Sequence, residues 1–394
     1  MLKKLVQVNM FNNKLSNNLI KLDKIKKIAT ERNISYYGNS LSIIDLNEID
    51  NLQQIWRNNM FNIKPYYAIK SFPDKEIINK MDYFDCASLN EFKTVLDIKG
   101  KDYAKNIIYA NTAKRPHDIM MAKQYGIELV TVDSIYEIDK VLSIYPNCGI
   151  IIRLSAIDTN AVVKFSHKFG TIDHLHSIQL IQKCINNLKG FSFHVGSGQS
   201  DSNAWFYALE KVDKLYEYIK INYPKYYDKI NIIDIGGGFT NKIPLNNIYK
   251  SIEPFIKKYY DKNWIAEPGR YFSNDCSTLL TPIISKNIRN DGRLYYVIGN
   301  SVYHSFNCII FDHKTPKIMT ANDWIDLNDN SNQFELVQGN IVGETCDGID
   351  QIYSGLVPNN LEIGTILMFP EFGAYTDASS TKFNGFEPPE KIYL

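Results

Sequence analysis

Between residues 65 and 270 the chain alternates two textures. Short apolar runs bounded by polar, Gly or Pro residues recur: PYYAI (65–69), YFDCA (83–87), NIIYA (106–110), ELVTV (128–132), GIIIRL (149–154), GFSFHV (190–195), INIIDI (230–235) and WIAEP (264–268). Runs of this length, rich in β-branched and aromatic residues, predict strands. Between most of them the apolar positions fall at helical spacing, most clearly over 201–221 and 246–260. Ser88-Leu-Asn-Glu91 and Ser134-Ile-Tyr-Glu137 have the S-x-x-E form of a capping box that opens a helix. Eight strands with intervening helices predict an α/β fold, a (β/α)8 TIM barrel over residues 43–276. An open doubly wound sheet is the alternative topology.

After residue 276 the texture changes. RLYYVI, NCIIFD, FELVQ and TILMF lie among turns with no long helical pattern. Residues 277–394 together with 35–42 therefore predict a mostly antiparallel β domain, with SYYGNSLSIID (35–45) supplying a strand from the N-terminal side. Residues 1–34 read as a solvated extension rich in lysine and asparagine, and 327–333 as an asparagine-rich mobile loop. No internal repeat stands out.

Composition narrows the function classes. With 394 residues and 44% hydrophobic positions the chain can bury a sizeable core. A formal net charge of +1 argues against bulk electrostatic binding of nucleic acid or an anionic membrane. No stretch approaches the roughly 20 apolar residues of a membrane span. The lead-in lacks the apolar block of a signal peptide. Cys86, Cys148, Cys184, Cys276, Cys308 and Cys346 are scattered with no C-x-x-C, which suits a reduced, cytoplasmic protein. His174 and His176 lie close together, but no further ligands at suitable spacing make them a metal site, and a surface role is expected.

In a parallel barrel the chemistry sits at the C-terminal ends of the strands. Lys70, Asp85, Arg153, His194, Asp234 and Glu267 all fall there. Taken singly, each has an ordinary structural reading; their joint placement points to a site. IIDIGGGFT (232–240) puts three glycines after an apolar strand, where bare backbone N–H groups can approach an anion. The pattern is not G-x-G-x-x-G, so a dinucleotide fingerprint is absent. FHVGSG (193–198) adds a histidine and a serine, AEPGRY (266–271) a carboxylate three residues before a guanidinium, and TCDG (345–348) a cysteine beside an aspartate.

Together with YYAIK, IIYANTAK, VKFSHKFG, SFNCIIFDH, GAYT and FNGF, in this order and spacing, these motifs resemble the eukaryotic-type ornithine decarboxylases, pyridoxal phosphate enzymes of alanine racemase-like fold. The likeness runs from about residue 36 to 394. It implies a barrel followed by a β domain, and a head-to-tail homodimer with two shared active sites. It also implies roles. Lys70 would hold pyridoxal 5'-phosphate covalently, Glu267 would pair with the pyridine nitrogen, and His194 would stack on the ring. Ser197, Gly236, Gly237, Gly238, Gly269, Arg270 and Tyr375 would hold the phosphate end. Asp85, Arg153 and Lys168 match further positions around the cofactor. Cys346, the candidate proton donor, and Asp347 would come from the partner subunit. Asp312 would read the distal amine of an amino-acid substrate, with Tyr303 and Phe383 lining that end.

The implied activity is decarboxylation of ornithine to putrescine, in polyamine biosynthesis. The alternatives are a preference for lysine, arginine or diaminopimelate, or a non-catalytic binding protein like the antizyme inhibitors. An aspartate at 312, where arginine-specific relatives carry glutamate, favours ornithine. There are departures: YYVIGNSVYHSF (295–306) is one residue longer than usual, Asn300 stands in place of an aspartate, and Phe311 in place of a tyrosine. The likeness also lacks the long C-terminal tail of animal relatives.

Overall fold

The computed structural model describes residues 22–320 and 335–394; the first 21 residues and the asparagine-rich stretch 327–333 lie outside them. The chain divides into two compact units, one of residues 46–274 and one of the residues up to 45 together with 275–394.

The first unit is a parallel barrel. Its strands are Ile63–Pro65, Tyr67–Ala68, Phe84–Cys86, Ile107–Tyr109, Leu129–Val132, Gly149–Leu154, Leu188–Phe193, Ile232–Asp234 and Asn263–Ala266. These nine segments fill the eight expected places, because the first strand is broken at Tyr66. Ile63–Pro65 pairs with Asn263–Ala266, whereas Tyr67–Ala68 pairs with Phe84–Cys86. Tyr66 donates its N–H to Ala266 and Tyr67 donates to Tyr83, so a single strand turns from the last neighbour to the next and closes the ring. Pro65, with no N–H to give, sits at the break.

Alternation along each strand sorts the barrel interior into layers. Tyr66, Ile108, Ile151, Ile232 and Ile265 form one buried cluster, with Tyr83, Ala110 and Leu129 packed against it. Side chains two residues on share the same face. Asp85 follows Tyr83, Arg153 follows Ile151, Asp234 follows Ile232 and Glu267 follows Ile265, so an apolar layer carries a polar layer above it at the C-terminal ends.

Among the described residues, the second unit holds an eight-stranded, mostly antiparallel sheet. Its long strand Ser277–Ile288 pairs with Ile366–Phe369 over one half and with Leu294–Ile298 over the other, across an irregularity between Ile283 and Ser285. Leu336–Val342 and Gln351–Pro358 form a hairpin. Leu41–Ile44 pairs antiparallel with Ser277–Leu280 and parallel with Glu390–Tyr393.

Four details depart from the sequence reading. Residues 22–31 are helical, and Leu22, Ile25 and Ala29 pack with Leu41, Ile43, Leu280 and Met368 in a buried cluster. This part of the lead-in is thus a core element; its apolar face was masked by the lysines between. The unit boundary falls at 45/46 rather than 42/43, with the strand Leu41–Ile44 lying inside the stretch 35–45 expected to supply it. NCIIFD is not a strand: Asn307–Phe311 is a short helix, an ambiguity inherent in brief apolar runs. Lastly, the helices Leu89–Lys99 and Ile135–Ile144 do start at Ser88 and Ser134, each accepting the N–H three residues on. The return bonds of a capping box are absent: Glu91 takes the N–H of Ala87, and Glu137 takes that of Lys114. Among the described residues, no helix is long and apolar enough to cross a membrane.

Candidate active site

Lys70 sits in a 3-10 turn, Ile69–Ser71, directly after the interrupted strand. Its Nζ lies 3.4 Å from Asp85 Oδ2; the lysine side chain is 42% exposed and the aspartate 2%. A pair open on one side contributes on the order of 1 kcal/mol or less, so Asp85 orients the amine without locking it.

Asp234 and Glu267 form a carboxyl pair. Asp234 is fully buried, takes the N–H of Gly236 on Oδ1 at 2.8 Å and lies close enough to Glu267 for the two carboxyls to repel when charged. Burial, then the neighbouring carboxylates, raises Glu267 well above the ordinary carboxyl range, and burial raises Asp234 too. Two carboxylates this close cannot both ionise cheaply, so the pair holds a proton or seeks a cation.

His194 follows strand Leu188–Phe193. Its Nδ1 accepts the N–H of Gly196 at 3.0 Å, which leaves the ring proton on Nε2. Burial lowers its pKa well below the usual value, and Arg153 and Lys70 lower it further, so the ring is neutral. Phe165 packs edge-on against it, ring centroids 4.8 Å apart at 87°. Arg153 and Lys168 both lie against the ring of Phe169, at 4.8 and 5.0 Å from its centroid.

The glycine turn is as tight as its composition suggested. A Cβ on Gly237 would lie 2.5 Å from His194 Nε2, and one on Gly236, at φ +61°, would strike the Phe193 carbonyl at 1.8 Å. Gly238, at φ +101°, approaches Val195 and Trp205. Nearby, Arg270 donates to Ser197 Oγ at 2.9 Å. Gly269 lets the Arg270 segment approach Ser71, whose Cβ would be 2.9 Å from an added methyl.

The β unit gathers a second group. Tyr303 and Phe383 stack, centroids 4.1 Å apart and 18° between planes. Tyr303 donates its hydroxyl to Asp347, and this hydrogen bond lowers the Asp347 pKa. Asn384, beside Phe383, accepts the N–H of Cys346 at 2.9 Å. Cys346 is exposed; the other five cysteines are buried. Asp312 ends the Asn307–Phe311 helix and is buried. Tyr375 takes a left-handed conformation, φ 54°, next to Thr376, whose carbonyl accepts from Asn307 at the start of that helix. Asn300 is buried and accepts the N–H groups of Ser301 and Ser305, so here it shapes its own loop. Sequence reasoning gave no role to Asp234, Phe165, Asp350 or Asn384; only Asp234, at a strand end before the glycines, carried a signal.

Residues 46–274 match the family model described as pyridoxal-dependent decarboxylase, pyridoxal binding domain. The chain belongs to the pyridoxal-dependent decarboxylases. An ornithine decarboxylase of Caenorhabditis elegans is 31% identical, over 95% of this chain and 91% of its own length. Antizyme inhibitor 2 of Xenopus laevis is 30% identical, over 93% of this chain and 83% of its own. The solved Paramecium bursaria Chlorella virus arginine decarboxylase bound to agmatine is similar at a TM-score of 0.84 and 30% identity, covering 95% of this chain and all of that one.

The barrel end of this decarboxylase fits pyridoxal phosphate. An accessible amine, a raised carboxyl able to face a ring nitrogen, a neutral aromatic ring and a turn where a single methyl would collide are the donor set that an aldehyde, a pyridine and a phosphate require.

Proposed function

We propose that this chain decarboxylates L-ornithine to putrescine, using pyridoxal phosphate carried on Lys70, as a step of polyamine biosynthesis. The observation that carries the reading is the convergence, at one end of one barrel, of the Lys70 amine, the Glu267–Asp234 carboxyls and the Gly236–Gly238 turn with Arg270 and Ser197. When bound, the cofactor supplies an aldehyde for the substrate amine and a protonated ring that accepts the electron pair freed as CO2 leaves.

The chain's own groups do the rest. Lys70 would hold the cofactor through its amine until the substrate amine replaces it. Glu267 would keep a proton at the pyridine nitrogen; burial, Asp234 and Asp85 raise its pKa, and Lys70 and Arg153 offset that only in part. His194, held neutral, offers a ring face without adding positive charge beside the pyridine. The glycine N–H groups, Ser197, Gly269 and Arg270 would hold the phosphate, the guanidinium through charge-assisted bonds, and Tyr375 is assigned to the same group by resemblance. Arg153, Asp85 and Lys168 complete the rim.

Cys346 Sγ is assigned the proton delivered to the substrate Cα after CO2 departs. Asp347 and Asp312 receive the distal ammonium, with Tyr303 fixing Asp347 and Phe383 backing Tyr303. We assign Cys346 and Asp347 to a partner's site in a cytoplasmic homodimer. An exposed cysteine three residues before the 58% exposed Ile349 supports such an interface, and six free thiols support a reducing compartment.

The likeness to a viral arginine decarboxylase keeps arginine as the second reading. One added methylene discriminates by only about 1–3 kcal/mol, so lysine turnover at a lower rate is expected. Steady-state rates on ornithine, lysine, arginine and diaminopimelate decide: ornithine is expected to have the highest kcat/KM, and a higher value for any other overturns the assignment. The retained lysine, glutamate, glycines, arginine and cysteine weigh against a non-catalytic role.

A further inference from the structure

The loop that presents Cys346 is tied down by a residue with no part in the chemistry proposed above. Asp350 is buried, 4% exposed, four residues after the cysteine. Its Oδ2 accepts the N–H of Thr345 at 3.1 Å and the Thr345 hydroxyl at 2.6 Å. Its Oδ1 accepts the N–H of Val302 at 2.9 Å, and Val302 precedes Tyr303. The backbone closes the same knot: Gly343 N–H donates to the Asp350 carbonyl at 2.9 Å, and Asp350 N–H donates to Asp347 at 3.1 Å. Gly343 has to be bare, because a Cβ there would sit 2.2 Å from Asp350 Oδ1.

We propose that Asp350 is a positioning residue that joins the loop carrying Cys346 and Asp347 to the loop carrying Tyr303, and so sets where the Cys346 proton is delivered. The carboxylate is bonded to both loops through its two oxygens: Thr345, next to the cysteine, on one, and Val302, next to the tyrosine, on the other. A buried carboxylate satisfied by three short donors is a rigid joint, since each bond given up leaves a polar group unpaired out of water. Asparagine presents one oxygen and one NH2, so it can accept on one loop only and sets a donor against a donor on the other. Valine at 345 removes a single hydroxyl at constant shape.

The inference rests on Cys346 being the proton donor. A misplaced proton has a chemical signature. Protonation on the cofactor side instead of at Cα, followed by hydrolysis, leaves the substrate nitrogen on the cofactor and releases the carbon skeleton as an aldehyde, water supplying the oxygen. The experiment compares wild type, Asp350→Asn, Thr345→Val and Cys346→Ser as cofactor-loaded protein. It measures the ratio of aldehyde to amine product with ornithine and, without substrate, the alkylation rate of Cys346 by iodoacetamide, read at that peptide.

Asp350→Asn is expected to raise the aldehyde share at least fivefold and to change the alkylation rate at least threefold. Thr345→Val is expected to move both in the same direction by less. A folded Asp350→Asn protein with wild-type values of both overturns the proposal. If that variant does not fold, unchanged values in Thr345→Val overturn it instead. A Cys346→Ser variant with wild-type rate and product ratio sinks the donor assignment itself, and is distinguishable because it says so without reference to Asp350.

Discussion

At the barrel end, Asp85, Arg153, Asp234 and Glu267 stand where strand alternation puts them, each one layer above an apolar residue of the same strand. The ladder fixes their spacing, and moving any of them means slipping a strand. Around Cys346 and Asp347 there is no such lattice. Their place is set largely by side-chain bonds, Asn384 to Cys346, Tyr303 to Asp347, and Asp350 to Thr345 and Val302, with two backbone bonds closing the loop. A cofactor that stays bound suits the first construction, and the proton donor proposed above, which must meet changing atoms, suits the second. Substitutions should therefore act abruptly in the barrel and by degrees in the loops.

The sharpest test removes the amine. Lys70→Ala is expected to lower kcat by roughly three orders of magnitude or more. Borohydride treatment followed by peptide mapping should tag residue 70 in the wild type, and a tag on another lysine would overturn the barrel half of the comparison. Next, Lys70→Ala and Cys346→Ala proteins are mixed under conditions of subunit exchange. If sites are shared, half the dimers are hybrids with one intact site of two, so about a quarter of wild-type activity should return. No recovery would leave the loop cluster serving its own protomer. Third, Gly237→Ala places a methyl 2.5 Å from His194 Nε2 and should weaken cofactor binding about tenfold, measured by spectroscopic titration.

The smallest effect concerns pH. Burial, and then Asp350, raises Glu344 from the ordinary 4.5 to about 7. A carboxyl raised on folding lends stability that is fully present below its unfolded pKa and is lost as pH rises through the folded one. Glu344→Gln should therefore match wild type near pH 4.5 and exceed it at pH 8. Its partial exposure discounts the gain to about 1 kcal/mol, or roughly 2–4 °C in Tm. A gap that narrows with rising pH would reverse the sign.

The same contrast explains what the sequence made legible. The barrel strands and the lysine, carboxylate and glycines at their ends follow from a period of two and from the rule that chemistry gathers at strand ends. The loop cluster does not: nothing in TCDGID or FNGF says that Asn384 meets Cys346 or that Asp350 reaches Val302, contacts 38 and 48 residues apart. Resemblance alone pointed there. The helix over 22–31 was hidden for another reason, since its lysines raise the local polarity while Leu22, Ile25 and Ala29 keep one apolar face. In NCIIFD the error was one of length, too short for either period to show.

The pairing of Leu41–Ile44 with both Ser277–Leu280 and Glu390–Tyr393 bears on how the polypeptide matures on the ribosome. Residues 46–274 emerge with every strand of the barrel in hand and can close before the rest is translated. The 41–44 segment must wait, edges unpaired, through more than 230 codons for its first neighbour and well over 340 for its second. Chaperone dependence in the newborn chain should accordingly centre on that early strand, not on the barrel that follows it.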